Sequence, residues 1–159
     1  AIDRAFEVMD KIKDDVVFWS AGSQPLELIK SGEVIMAVAY NGRVGAANLA
    51  EGENFEYIWE GQVLDQEYLC LMSGAPNRDA AMDFMWHAST PEAQAEQAKY
   101  ITYGPTNKKV YELGLMEDSR ARQMPSHPDN AKHQMTLKTE WYAKWRTIAA
   151  EMYTEMMTE

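Results

Sequence analysis

Gly32-Glu33-Val34-Ile35-Met36-Ala37-Val38-Ala39-Tyr40-Asn41-Gly42-Arg43-Val44-Gly45 is the stretch that decides the fold. An apolar, β-prone run ends in an aromatic, Tyr40, and turns at once through Asn41-Gly42 into Arg43 and a series of small residues. The pattern predicts a buried strand over 34–40 and a helix around 43–49 capped by Asn41. An aromatic face, a guanidinium and unpaired backbone N–H groups then share one strand end. In open α/β sheets, ligands bind in the crevice outside the strand carboxyl ends. The stretch reads as the ligand-facing edge of an α/β protein.

Working outward, Ile2, Ala5, Phe6, Met9 and Ile12 recur at helical spacing among charged residues. Val16-Val17-Phe18-Trp19 follows as a short buried strand. Its end, Ser20 to Pro25, carries helix-start chemistry: Ser23 or Gln24 stands before Pro25, and Glu27 lies in the first turn. That helix, over 25–30, stops at Ser31-Gly32. Downstream, residues 55–59 alternate like a strand, and a longer apolar strand is predicted from about Val63 to Met72. Cys70 inside it reads as a small core hydrophobe.

After Ser73-Gly74-Ala75-Pro76 the chain turns mainly helical. Asn77 is placed to cap a helix that carries Ala81, Phe84, Met85 and Ala88 inward. Thr90-Pro91 opens the next helix, to about Tyr100. Tyr103-Gly104-Pro105-Thr106-Asn107 is a turn, and a last helix over 135–156 stacks Trp141, Trp145, Ile148, Met152 and Met156 on one face. Strands alternating with helices, then helices alone, predict an α/β domain with a helical appendage. About four strands with no opening strand leave an unprotected sheet flank, so the segment reads as a C-terminal portion.

The bulk properties narrow the function. A net charge of −10 argues against nucleic-acid binding, which needs a basic footprint. The single cysteine excludes an internal disulfide and a multi-cysteine metal site. His87, His127 and His133 have no helical ligand spacing. No His-Glu-x-x-His, Gly-x-Ser-x-Gly or phosphate-loop pattern occurs, and no nucleophile has an adjacent base. The sequence therefore predicts no enzyme activity, no metal and no cofactor. No run approaches the roughly 18 apolar residues of a membrane span, and the chain opens on a charged amphipathic helix rather than a signal peptide.

The order of these pieces resembles a known family. Phe-Trp-Ser-x-Gly-x-Gln at 18–24, Gly-Glu-Val at 32–34 and Val-Ala-Tyr-Asn-Gly-Arg at 38–43 look like the later half of a bacterial solute-binding protein. Gly-Ala-Pro-Asn at 74–77, Thr-Pro-Glu-Ala-Gln at 90–94 and Tyr-Gly-Pro-Thr-Asn at 103–107 agree in order and spacing. The family is the spermidine/putrescine-type periplasmic binding protein of ABC transporters. The resemblance implies a type II fold of two α/β lobes that close on ligand by a hinge. Residues 1–62 would belong to the second lobe, 63–105 to a hinge strand and the first lobe, and 106–159 to C-terminal helices bracing both. Implied partners are a small-molecule ligand, the ABC permease, and the N-terminal half of the same protein or a swapped copy. The implied location is the periplasm.

By the same resemblance, Tyr40 stands where the family carries an aromatic, and Glu67, with Asp65 beside it, near a hinge carboxylate that meets an ammonium. Ser20, Ser23 and Gln24 lie on a loop facing the cleft. Arg43 departs from the family's polyamine pattern. It would repel a second ammonium and welcome a carboxylate, so the ligand is a polyamine or a zwitterionic amine of amino-acid type. Each residue also has a plainer role. Tyr40 can fill core, Arg43 can pair with Glu33, Glu51 or Glu53, Asp65 or Glu67 can end strand pairing, and Ser23 or Gln24 can cap a helix. A cytoplasmic ligand-sensing or protein-interaction module built on the same lobe is the alternative function.

Overall fold

The computed structural model describes residues 2–50 and 52–158. Its helices are α1 (Ile2–Asp10), α2 (Gln24–Lys30), α3 (Asn41–Ala50), α4 (Arg78–Ala88), α5 (Pro91–Gln97), α6 (Lys109–Glu112), α7 (Asp118–Ala121) and α8 (Thr139–Thr158). Two short strands, β1 (Val63–Leu64) and β2 (Met135–Thr136), form a parallel pair with Val63 opposite Met135 and Leu64 opposite Thr136. The chain divides into two compact units, residues 1–39 with 137–159, and residues 40–136.

In the first unit α1 packs against α8, as the apolar stripe of α1 requires. The ring of Phe18 meets Tyr153 of α8 edge-on, with centroids 5.7 Å apart. Helix α2 begins one residue earlier than the sequence suggested, buries Pro25 and Leu26, and ends before Gly32, whose φ of +75° only glycine adopts without strain. Helix α8 starts at Thr139, not 135, because Met135 and Thr136 are used in the ladder with β1. Trp141 and Ile148 of α8 are exposed rather than stacked inward, while Met156 is buried.

The second unit is built around Val44, Ala47, Ala95, Ala98, Thr102, Val110, Ala121 and Met124, all buried. Polar side chains tie its loops to this core. Gln62 Nε2 donates to the carbonyls of Pro125 at 3.2 Å and Asn130 at 2.9 Å. Asn130 Nδ2 donates in turn to the Arg122 and Met124 carbonyls, both at 2.8 Å. Arg120 Nε reaches the Ala98 carbonyl at 2.8 Å. Helix α5 starts as its Thr-Pro pair dictates, with Thr90 Oγ1 accepting from the Ala93 amide. Asn77 precedes α4 in sequence but makes no side-chain cap bond, and Phe84, expected inward, is 63% exposed.

The larger departure concerns strands. Of the four expected, at 16–19, 34–40, 55–59 and 63–72, only Val63–Leu64 takes part in a ladder. The rest carry strand chemistry but join no ladder among the described residues. Residues 53–60 still alternate half-buried and exposed, with Phe55, Tyr57 and Trp59 on the covered side. The Tyr57 and Trp59 rings stack at 4.7 Å. By contrast Ile35 is 90% and Val38 84% exposed, and Met72 is 75% exposed. Cys70, read from sequence as buried, is exposed for the same reason. A β-ladder belongs to two segments, and an apolar run without its partner backbone has nothing to bury against.

Candidate functional site

The strand-end turn at Tyr40–Arg43 is built by the first turn of α3. The Arg43 and Val44 amides donate to the Tyr40 carbonyl at 3.0 and 3.3 Å. Asn41 is the first residue of α3 rather than its cap. Its side chain turns away from the helix, and Nδ2 donates to the Thr102 carbonyl. Thr102 Oγ1 donates back to the Asn41 carbonyl at 2.9 Å, and the Tyr57 hydroxyl donates to that carbonyl at 3.3 Å. Burial raises the Tyr57 phenol above its ordinary value, offset in part by its hydrogen bond with Thr102 and by the Arg120 charge.

Small residues allow this close approach. A Cβ on Gly42 would overlap the Tyr103 ring edge at Cε1, and one on Gly45 would overlap the Thr102 hydroxyl and lie 2.9 Å from its Cβ. Tyr103 is therefore seated against the turn that carries Tyr40 and Arg43, with its ring 41% exposed. From the sequence, Tyr103 reads only as part of a turn. The signal that could have found it is the Gly42/Gly45 spacing, which clears one face of α3 for a close neighbour.

Tyr40 and Arg43 are both exposed, one just before α3 and one in its first turn. Glu51, a suggested ion-pair partner of Arg43, lies outside the described residues. Asp65 and Glu67 are exposed two residues apart, just past β1. Asp65 Oδ1 accepts from the Gln66 amide at 2.8 Å, a local bond of the kind that ends strand pairing.

Ser20, Ser23 and Gln24 belong to the other unit. Gln24 Oε1 accepts from the Ser20 and Ala21 amides, both at 2.8 Å, closing the loop on itself. Ser23 stands at the N-cap of α2 without a side-chain cap bond and is exposed, as is Ser20. Beside this loop a cavity of about 360 Å³ is lined by Val17, Phe18, Trp19, Gln24, Glu27, Leu28, Ser31 and Glu33. Among the described residues no group of three potential metal ligands occurs, and no helix is long and apolar enough to cross a membrane.

Residues 1–125 match the family model for the bacterial extracellular solute-binding protein. The chain belongs to that family. It is 33% identical to the gamma-aminobutyric acid-binding protein of Pseudomonas aeruginosa over 89% of this chain and 39% of that protein. An ABC transporter substrate-binding protein from Bradyrhizobium japonicum superposes with a TM-score of 0.86 at 35% identity, covering 98% of this chain and 49% of the other. The Agrobacterium tumefaciens binding proteins AgtB, solved with agropinic acid, and MotA, solved with glucopine, give TM-scores of 0.75 and 0.76 at 34% and 32% identity. They are covered over 49% and 48% of their length, against 99% and 97% of this chain. The chain thus spans about half the length of the structures it matches. Its α/β class is that of a partial binding-protein fold, which accounts for strand segments left without ladders. The relatives are binding proteins rather than enzymes, and the polyamine branch of the family is not singled out among them.

Proposed function

We propose that this chain is the later half of a periplasmic solute-binding component of an ABC importer, and that its ligand is a small zwitterionic amine. Arg43 takes the ligand's carboxylate, Asp65 or Glu67 takes its ammonium, and Tyr40 covers the carbon chain between them. The closed form is presented to the permease. Catalysis forms no part of this. The observation that carries the reading is Arg43 itself: a guanidinium one turn beyond an exposed aromatic, on a backbone tied to Thr102 and close against Tyr103. A planar fork of donors suits a carboxylate and repels a second ammonium, which favours an amino acid over a polyamine. The reading is supported by one relative, named for gamma-aminobutyric acid, which carries one acid and one amine. The family's extracellular character favours the importer over a cytoplasmic module.

Calorimetry on the full-length protein tests this with γ-aminobutyrate and putrescine as probes. Binding of γ-aminobutyrate, without putrescine, is expected. Arg43→Gln should weaken it about 30- to 150-fold, the cost of roughly 2–3 kcal/mol for a charge-assisted pair. Putrescine binding unaffected by Arg43→Gln would overturn the zwitterion assignment.

A further inference from the structure

The binding turn is held by a residue far from it in sequence. Thr102 is 0% exposed, and its hydroxyl meets the start of α3 and the Tyr57 side chain. Its Oγ1 donates to the Asn41 carbonyl at 2.9 Å, while its own carbonyl accepts from Asn41 Nδ2, across a sequence separation of 61. Asn41 sits directly between Tyr40 and Gly42, and Arg43 follows within the same helical turn. The Arg43 and Val44 amides close on the Tyr40 carbonyl. Whatever holds Asn41 therefore holds the backbone from which both Tyr40 and Arg43 project.

We propose that Thr102 is a positioning residue for the binding turn: its reciprocal pair with Asn41 fixes where Tyr40 and Arg43 stand. A helix start anchored only by its own first turn frays, because its first amides and the residue before it lack partners. Two hydrogen bonds to a dry, buried partner remove that freedom, and bonds in such surroundings are stronger than at the surface. Losing the hydroxyl removes the shorter of two side-chain donors to the Asn41 carbonyl, leaving the Tyr57 hydroxyl at 3.3 Å, and returns the turn to several arrangements. Ligand binding must then order the turn as well as fill it, which lowers affinity. The consequence for ligand rests on the proposed function; the fixing of the turn does not.

The test compares Thr102→Val, isosteric without the hydroxyl, with Thr102→Ser, which keeps it, in the full-length protein. Amide hydrogen exchange reads the turn directly. In Thr102→Val the Arg43 and Val44 amides should exchange about 10-fold faster, as a lost bond of ordinary strength implies, while the Val110 and Met124 amides keep their rates. Affinity for γ-aminobutyrate should fall by about the same factor, and Thr102→Ser should restore both readouts. Unchanged Arg43 and Val44 exchange, or a uniform acceleration at every amide, would overturn the proposal. So would a loosened turn with undiminished affinity. If Thr102→Val does not fold, Asn41→Ala removes the other bond of the pair, the one from Asn41 Nδ2 to the Thr102 carbonyl, and is read in the same two ways. Failure of the unaltered protein to bind γ-aminobutyrate would sink the ligand assignment alone, and the exchange rates would still decide the lock.

Discussion

Gly42 and Gly45 occupy the one face of α3 that Thr102 and Tyr103 approach, and neither can gain a methyl group without moving a neighbour. Gly45→Ala meets a buried threonine whose hydroxyl is already committed to Asn41, so the neighbour cannot swing aside freely. The substitution should cost about 1–3 kcal/mol, the usual range for overpacking, read as a lower denaturant midpoint at unchanged slope. Gly42→Ala meets the edge of a part-exposed ring, which can shift outward, and should cost less. Tyr57 adds a pH signature at the same spot. Burial raises its pKa above 10.0, so the folded state holds the phenol proton more tightly than the unfolded chain does. That contribution is intact below the unfolded value and is lost as pH climbs through the folded one. Unfolding free energy measured across about pH 9 to 11 should therefore fall, and Tyr57→Phe should flatten the fall. An identical slope in the variant would assign the alkaline loss to other groups, of which Tyr111, also raised by burial, is the first to examine.

Helices and strands differ in how much of themselves they carry in their own sequence. The Thr90-Pro91 start of α5 is complete within four residues, because the cap oxygen, the proline and the accepting geometry are all local. It was legible, and Thr90→Ala should cost about 1 kcal/mol in thermal or denaturant unfolding. The capping chemistry read at Ser23 or Gln24 is not realised: Ser23 makes no side-chain cap bond, and Gln24, the first residue of α2, binds the preceding amides instead. What misled was the same locality applied too far. Asn41 has a capping residue's chemistry, yet a buried partner from a distant segment outcompetes the helix end for its amide group. The strand runs were recognisable as strand material from alternation and β-branching, and 53–60 keeps its period of two. Their pairing was not legible, since register and neighbours are set by other segments. The Tyr40–Arg43 turn was readable for the same local reason, while its fastening by Thr102 and Tyr103 required the fold. Asn48 shows how an unladdered strand is kept in place: it donates to the Phe55 carbonyl and accepts from the Phe55 amide, both at 2.9 Å, as a strand neighbour would.

Across the whole molecule, apolar exposure is concentrated where the ladders are absent. Ile35, Met36 and Val38 project from one run, and Tyr68, Leu69 and Met72 from another. Scattered surface hydrophobes are ordinary, but consecutive ones on extended, unpaired backbone offer both apolar area and free hydrogen-bonding edges. The matched solved structures are about twice as long, and the proposed reading as a later half predicts that these edges pair with the complementary half or, without it, with a second copy of the chain. Expressed by itself, the chain should associate at micromolar concentration, visible by light scattering coupled to size exclusion. Placing charge on the exposed run tests whether this edge is responsible. Ile35→Lys with Val38→Lys should shift the chain toward monomer without lowering helix content, because neither residue contributes to the buried core. The same pair of substitutions in the full-length protein should do the reverse of harmless. If the complementary half covers this run, each buried lysine forfeits roughly 1.5–3 kcal/mol of side-chain burial and adds a desolvated charge. A chain that stays monomeric alone and tolerates both lysines at full length would show that residues 34–39 face water in the working protein.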